Sequence, residues 1–445
     1  MMGYIVYFNA IKSKEIINSP YNVRLDSMTD RVVRGKILDS KGEVLAETKV
    51  AEDGSEKRNY PYGDLYAHVI GYDSMGKSGL ESTENFNLLT SHAFFLEQIK
   101  KTVKEEKNIG DNVITTLDTE LQKAAYDALG RYKGAVIVME ANTGKILAMV
   151  SKPTFNPNSI SKDWEYLTSS SNSELLNRAT QGAYAPGSVF KIVTALEYIR
   201  ENSAYDKYEY HCTSEITHEE TTIHCARNHA HGDESLESAF ANSCNTAFSD
   251  IGLSLNLAKY RDTAEDLLFN SKMYSVLPYT QSKFQLDRKS DSSEVMMTAM
   301  GQGKTQMSPY HMTLISAAIA NGGVVMEPYF VDEIVNYTGT RVSKNYPNKY
   351  KRLMTAQEAS QLKEFMSLVV EEGTGTALRG ESYTVAGKTG TAEYSSDKDK
   401  SHSWFTGFSN VDNPELVITV IVESADNSGM SAVSVAKKVL NAYYY

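Results

Sequence analysis

Residues 185–196 read "APGSVFKIVTAL". Pro186 and Gly187 are loop formers and stand directly before Ser188. From Phe190 onward the segment is apolar almost all the way round, the pattern of a helix buried on every side. Lys191 nevertheless lies at the start of that helix, three residues after the serine. Positions i and i+3 share a helix face, so a helix that begins at or before Ser188 makes the hydroxyl and the amine neighbours. Burial lowers the pKa of a lysine because the ammonium loses its solvation. A neutral lysine can take a proton from a serine and turn the hydroxyl into a nucleophile. The free N–H groups and positive dipole end of the helix suit an oxyanion. By itself S-x-x-K is a weak signal, since most copies are a surface serine beside a lysine with its amine in solvent.

Outward from this stretch, the chain has 445 residues, which favours two or three domains over one core. A formal charge of −11 and the lack of a long basic run argue against a nucleic-acid partner. Three cysteines are too few for a disulfide scaffold and leave the compartment open. "MMGYIVYF" at 1–8 is apolar but far shorter than the roughly 20 residues that span a bilayer. It reads either as a buried first element or as the trailing end of a membrane anchor. Residues 9–110 are polar and rich in turn signals such as "DSKGE" and "MGKSG", which suggests an irregular, strand-containing region.

"DTELQKAAYDALG" from Asp118 predicts a helix, with Asp118 as N-cap and Gly130 as stop. "GAVIVMEANTGKILAMV" after it predicts a hairpin turning at "ANTG". "LVITVIV" (416–422) predicts a strand, and "SAVSVAKKVLNAY" a helix. Strands at both ends of 134–445 with helices between them imply an α+β or α/β domain whose sheet joins chain-distant strands.

Two more stretches complete a constellation. "ANSCNTAF" holds Ser243-Cys244-Asn245, and "AGKTGTAEY" holds Lys388-Thr389-Gly390-Thr391. Alone, Ser243 and Asn245 read as a helix or turn cap, and "KTGT" as a strand end. Trp404 and Phe405 read as packing behind the strand that follows. The ordered set S-x-x-K, S-x-N, K-T-G is the signature of the penicillin-recognising serine enzymes. "GDNVITTLDTELQKAAYDAL", "GQGKTQMSP", "EEGTGTA", "SWFTGF", "VRGKILDSKGEVLAE" and "YPYGDLYAHVIGY" extend the similarity over nearly the whole chain. The sequence resembles class B penicillin-binding proteins, the monofunctional peptidoglycan D,D-transpeptidases.

That resemblance implies an α+β transpeptidase domain, an antiparallel sheet flanked by helices with an all-helical subdomain, over 131–445. It further implies an elongated N-terminal pedestal over 9–130 and an anchor remnant at 1–8, with the catalytic domain outside the cell. Ser188 would attack the penultimate D-Ala carbonyl of a D-Ala-D-Ala stem peptide, and β-lactams would acylate the same serine. Lys191 would be its base, Ser243 would pass a proton to the leaving amine, and Asn245 would hold the substrate amide. Lys388 would attract the substrate carboxylate, with Thr389 and Thr391 as hydroxyl partners and Gly390 letting substrate lie close to the strand. The N–H groups of Ser188 and Thr391 would form the oxyanion hole. A membrane glycosyltransferase is the implied partner, and the chemistry needs no cofactor. A non-catalytic β-lactam sensor, a serine β-lactamase and a D,D-carboxypeptidase are the competing functions.

One segment stands apart. "YHCTSEITHEETTIHCARNHAHGD" (210–233) carries two of the three cysteines, Cys212 and Cys225, and five of the nine histidines. It reads as a Cys212–Cys225 disulfide, as a structural zinc site of Cys212, Cys225, His229 and His231, or as two buried thiols among solvated histidines. Its place between Ser188 and Ser243 puts it at the border of the expected site.

Overall fold

The computed structural model describes residues 29–93, 106–393, 401–425 and 430–445. The apolar stretch 1–8 lies outside the described residues. No helix among the described residues is long and apolar enough to cross a membrane. The described residues form two compact units, one drawn from the ranges 1–122, 153–176 and 329–346, the other from 123–152, 177–328 and 347–445. The division expected at 130/131 therefore falls at 122/123, and the first unit takes in two later segments. The reason is pairing at long range. In its six-stranded sheet, Asn112–Thr115 lies between Ile37–Leu38 and Val331–Val335, parallel to the first and antiparallel to the second.

Within the first unit, Glu81 is fully buried between two arginines. Arg34 Nε donates to one carboxylate oxygen at 2.6 Å and Arg58 Nε to the other at 2.7 Å. Burial would raise this carboxyl, but the two guanidiniums hold it below the usual glutamate value.

The second unit is built on a five-stranded sheet in the order Val385–Glu393, Ser401–Ser409, Leu416–Val422, Gly134–Glu140, Ile146–Lys152. Every neighbouring pair is antiparallel. The expected hairpin is the pair 134–140 and 146–152, and the expected strand 416–422 is its central member. Every residue of Leu416–Val422 and Ile146–Lys152 is buried, so the sheet is covered on both faces. That is why these strands read as unbroken apolar runs instead of alternating. Helices Pro309–Ala320 and Ala432–Tyr444 pack on it.

The helix expected after Asp118 runs Thr119–Leu129. Asp118 accepts from the Leu121 N–H at 2.9 Å, and Gly130 ends it at φ 56°. Both local devices act as the side chains dictate: an Asx cap meets a free N–H, and a residue without Cβ takes the left-handed exit.

Candidate functional site

Ser188 lies in a tight 3₁₀ turn, Gly187–Phe190, that leads directly into the helix Lys191–Glu201. The turn is wedged between two backbones. Gly187 sits at φ +57°, and a Cβ there would lie 2.5 Å from the Thr391 carbonyl oxygen. A Cβ on Gly301, in "GQGKTQMSP", would lie 1.8 Å from the Gly187 carbonyl oxygen, and the Gly187 N–H donates to the Gly301 carbonyl at 2.8 Å. Both glycines are therefore required by close approach and by the left-handed backbone. They hold the serine against the edge strand Val385–Glu393. The Ser188 side chain is half-buried and makes no hydrogen bond to Lys191.

Lys191 is completely buried. Its Nζ donates to the Ser243 carbonyl at 2.6 Å, to Asn245 Oδ1 at 2.8 Å and to Ser243 Oγ at 3.3 Å. The Phe248 ring centroid lies 5.3 Å away. Burial pushes the Lys191 pKa down to about 7, against the opposing charges of Cys244 and Cys225. Two motifs more than fifty residues apart thus meet on one amine. Ser243 is held at φ 58°, a left-handed conformation rare for a residue with a Cβ. Its neighbour Cys244 caps the helix Asn245–Ser254. The Asn245 amide donates to the His224 carbonyl at 3.1 Å.

Lys388 is also completely buried. Its Nζ donates to the Thr389 carbonyl at 3.2 Å and lies 5.4 Å from the Phe240 ring centroid. Burial first, and the charge of Lys191 second, hold its pKa well below the usual lysine value. Lys388 makes no hydrogen bond to Ser243. Thr389 is half-buried and Thr391 exposed. The Thr389 hydroxyl meets that of Thr374 at 2.5 Å, a residue of "EEGTGTA" that sequence reasoning assigned no role.

Gly390 differs from expectation. The space a Cβ would take is filled by Trp404 Cβ and Val189 Cγ1, each at 3.1 Å. The missing side chain therefore makes room for the nucleophile turn, not for substrate. The reason is the pleat, which points position 390 to the buried face of the strand while 389 and 391 point outward. Trp404 and Phe405 are fully buried and pair with Gly390 and Thr389 on the adjoining strand.

The cysteine-rich segment borders this centre, and its geometry corrects the ligand set read from the sequence. Cys212, Cys225, Cys244 and His231 bring their ligand atoms within 4.8 Å of one another. His229 is not among them. It is exposed, with its ring against that of His231 at 4.9 Å. Its expected place is taken by Cys244, which the N-terminus of Asn245–Ser254 carries in from outside the segment. Nothing local in the sequence tied Cys244 to the other two; it was visible only as the middle residue of S-C-N. The three thiols are free. Hydrogen bonds from Cys244, Thr246 and Cys212 push the Cys225 thiol down, and the same contact pushes Cys244 up.

Comparison with known proteins agrees with the motifs. The family model for the penicillin binding protein transpeptidase domain matches residues 134–443, and that for the penicillin binding protein A dimerisation domain matches residues 34–113. The chain belongs to the penicillin-binding protein transpeptidase family, as the resemblance implied. It is 29% identical over 433 residues to the peptidoglycan D,D-transpeptidase PbpA of Mycolicibacterium smegmatis, covering 90% of this chain and 87% of that one. The D,D-transpeptidase domain of a peptidoglycan glycosyltransferase from Eggerthella lenta superposes with a TM-score of 0.83 at 31% identity, over 93% of this chain and 98% of that one. Penicillin-binding protein A from M. tuberculosis, solved as an imipenem acyl-enzyme, gives a TM-score of 0.85 at 27% identity, over 94% and 100%.

Proposed function

We propose that this chain is a peptidoglycan D,D-transpeptidase that cross-links stem peptides through an acyl-enzyme on Ser188. The observation that carries the reading is the buried Lys191 amine, fixed between Ser243 and Asn245 one helical turn from the serine. At a pKa of about 7 it is largely neutral at the top of the physiological range and can accept the Ser188 proton as the hydroxyl attacks the D-Ala carbonyl. Ser243 Oγ, within reach of the same amine, relays that proton to the departing D-Ala. Val385–Glu393 is an edge strand, so its outer N–H and C=O groups can pair with an extended peptide. Beside it, the outward Thr389 and Thr391 hydroxyls receive the terminal carboxylate, with the Lys388 amine buried behind them. The Ser188 and Thr391 N–H groups polarise the attacked carbonyl. An amine of a second stem peptide then takes the acyl group from Ser188.

A β-lactam presents a strained amide and a carboxylate to the same groups and acylates the same serine. The enzyme works outside the cell, held at the membrane by an N-terminal anchor, and a membrane glycosyltransferase supplies the glycan strands. Intact-mass spectrometry after exposure to a penicillin should show one covalent adduct, absent in Ser188→Ala. An adduct that persists in Ser188→Ala removes the assignment.

A further inference from the structure

We infer that Cys212, Cys225, Cys244 and His231 bind one zinc ion, and that this ion fixes the Ser243–Asn245 turn. The inference about the ion rests on geometry alone; its effect on the turn rests also on the proposed roles of Ser243 and Asn245.

Three of the six edges between these ligand atoms match a zinc tetrahedron, and all four atoms lie within 4.8 Å of one another. Cys212 Sγ lies 3.7 Å from Cys225 Sγ, which lies 3.7 Å from Cys244 Sγ, and Cys212 Sγ lies 3.4 Å from His231 Nδ1. With Zn–S about 2.3 Å and Zn–N about 2.0 Å, a zinc tetrahedron has S···S edges of about 3.8 Å and S···N edges of about 3.5 Å. Three sulfurs and one imidazole nitrogen suit a thiophilic divalent cation and not calcium or magnesium. A disulfide between any two of the thiols would leave the third beside it unpaired. The Thr246 hydroxyl lies 3.2, 3.5 and 3.3 Å from the Cys212, Cys225 and Cys244 sulfurs. It is within reach to donate to a thiolate, the kind of outer contact that orients metal ligands. All four candidate ligands come from protein, so the ion has no open position and takes no part in the acyl transfer.

The surrounding architecture needs such a centre. Cys212 ends the strand Tyr210–Cys212, which pairs with Gly232–Glu234 next to His231, and Cys225 follows the hairpin of Glu215–His218 with Thr221–His224. That hairpin buries only Ile223 among its strand residues. Residues Arg227 and Asn228 are both left-handed. Two short ribbons with so little apolar core require a staple, and metal binding supplies folding free energy directly.

The fourth ligand is what reaches the active site. Cys244 stands between Ser243 and Asn245, both bonded to Lys191 Nζ. The residue before Cys225 accepts from the Asn245 amide. With Cys244 on the ion, the strained φ of Ser243 is held in place; without it, the turn can relax toward an ordinary backbone and shift both partners of Lys191.

The test uses the full chain, purified without a histidine tag or chelator. Elemental analysis should find one zinc per chain. Cobalt(II) in its place should show tetrahedral d–d bands with thiolate charge transfer, and X-ray absorption should fit three sulfurs and one nitrogen. His229→Ala should keep the metal, and His231→Ala and Cys212→Ser should lose it. Stripping the wild-type protein should slow acylation by a fluorescent penicillin about tenfold or more, restored by zinc. A metal content near zero with three free thiols, a shell with fewer than three sulfurs, or loss with His229→Ala but not His231→Ala overturns the site. Unchanged acylation after stripping overturns the coupling. Should Ser188→Ala still be acylated, the functional assignment falls while the metal measurements stand untouched.

Discussion

Substituting Lys191 offers the sharpest test of the proposed chemistry, because its predicted signature is a profile and not only a loss. The amine must be neutral to accept the Ser188 proton. Its pKa is lowered by burial to about 7, so the competent fraction rises from about one-tenth at pH 6 to about nine-tenths at pH 8. Second-order acylation by nitrocefin, whose carboxylate stays ionised throughout, should therefore increase about tenfold over that interval and then level off. Lys191→Arg keeps a positive charge of similar reach but cannot deprotonate. It should acylate about a hundredfold or more slowly, the usual worth of a positioned general base, and its profile should lose the inflection. Stopped-flow measurement at constant ionic strength reads both quantities. A flat wild-type profile would mean that Lys191 does not titrate as the proton acceptor. An inflection that survives in Lys191→Arg would assign the titration to another group, Lys388 being the neighbour most perturbed by burial. Either result refutes the reasoning.

Gly187→Ala places a Cβ 2.5 Å from the Thr391 carbonyl in a left-handed backbone. The strain of that conformation is about 1–3 kcal/mol before the clash is counted, so the melting temperature should fall and penicillin labelling should drop at least about tenfold; an unchanged melt and labelling would show that the turn is not wedged there. Glu81→Gln leaves two buried guanidiniums short of their carboxylate and should cost the first unit about 3–5 kcal/mol, read by calorimetry or denaturant unfolding. Because the folded pKa of Glu81 is depressed, its stabilisation is present above the unfolded value of about 4.3 and is lost as pH falls below it. The wild-type advantage over Glu81→Gln should shrink on acidification, and a pH-independent difference would contradict the ion-pair account.

Much of this protein was determined by features that are local in sequence. The cap at Asp118 and the glycine stop at Gly130, the hairpin at 134–152 and the strand at 416–422 follow from short-range hydrogen bonding and from apolar runs of strand length. The lysine at the head of an apolar helix announced its own desolvation. The three motifs, taken in order, identified the family before any contact was known. What the tertiary structure decided is everything that depends on distant backbones arriving together. The pairing of Asn112–Thr115 with Val331–Val335 drew the later segment 329–346 into the first unit, since strand pairing has no signature at a separation of two hundred residues. Gly390 looked like a gap for substrate until the pleat turned it toward Val189. Cys244 replaced His229 in the cluster because ligand choice follows where a helix N-terminus and two hairpins carry their atoms, not how densely the ligands lie along the chain.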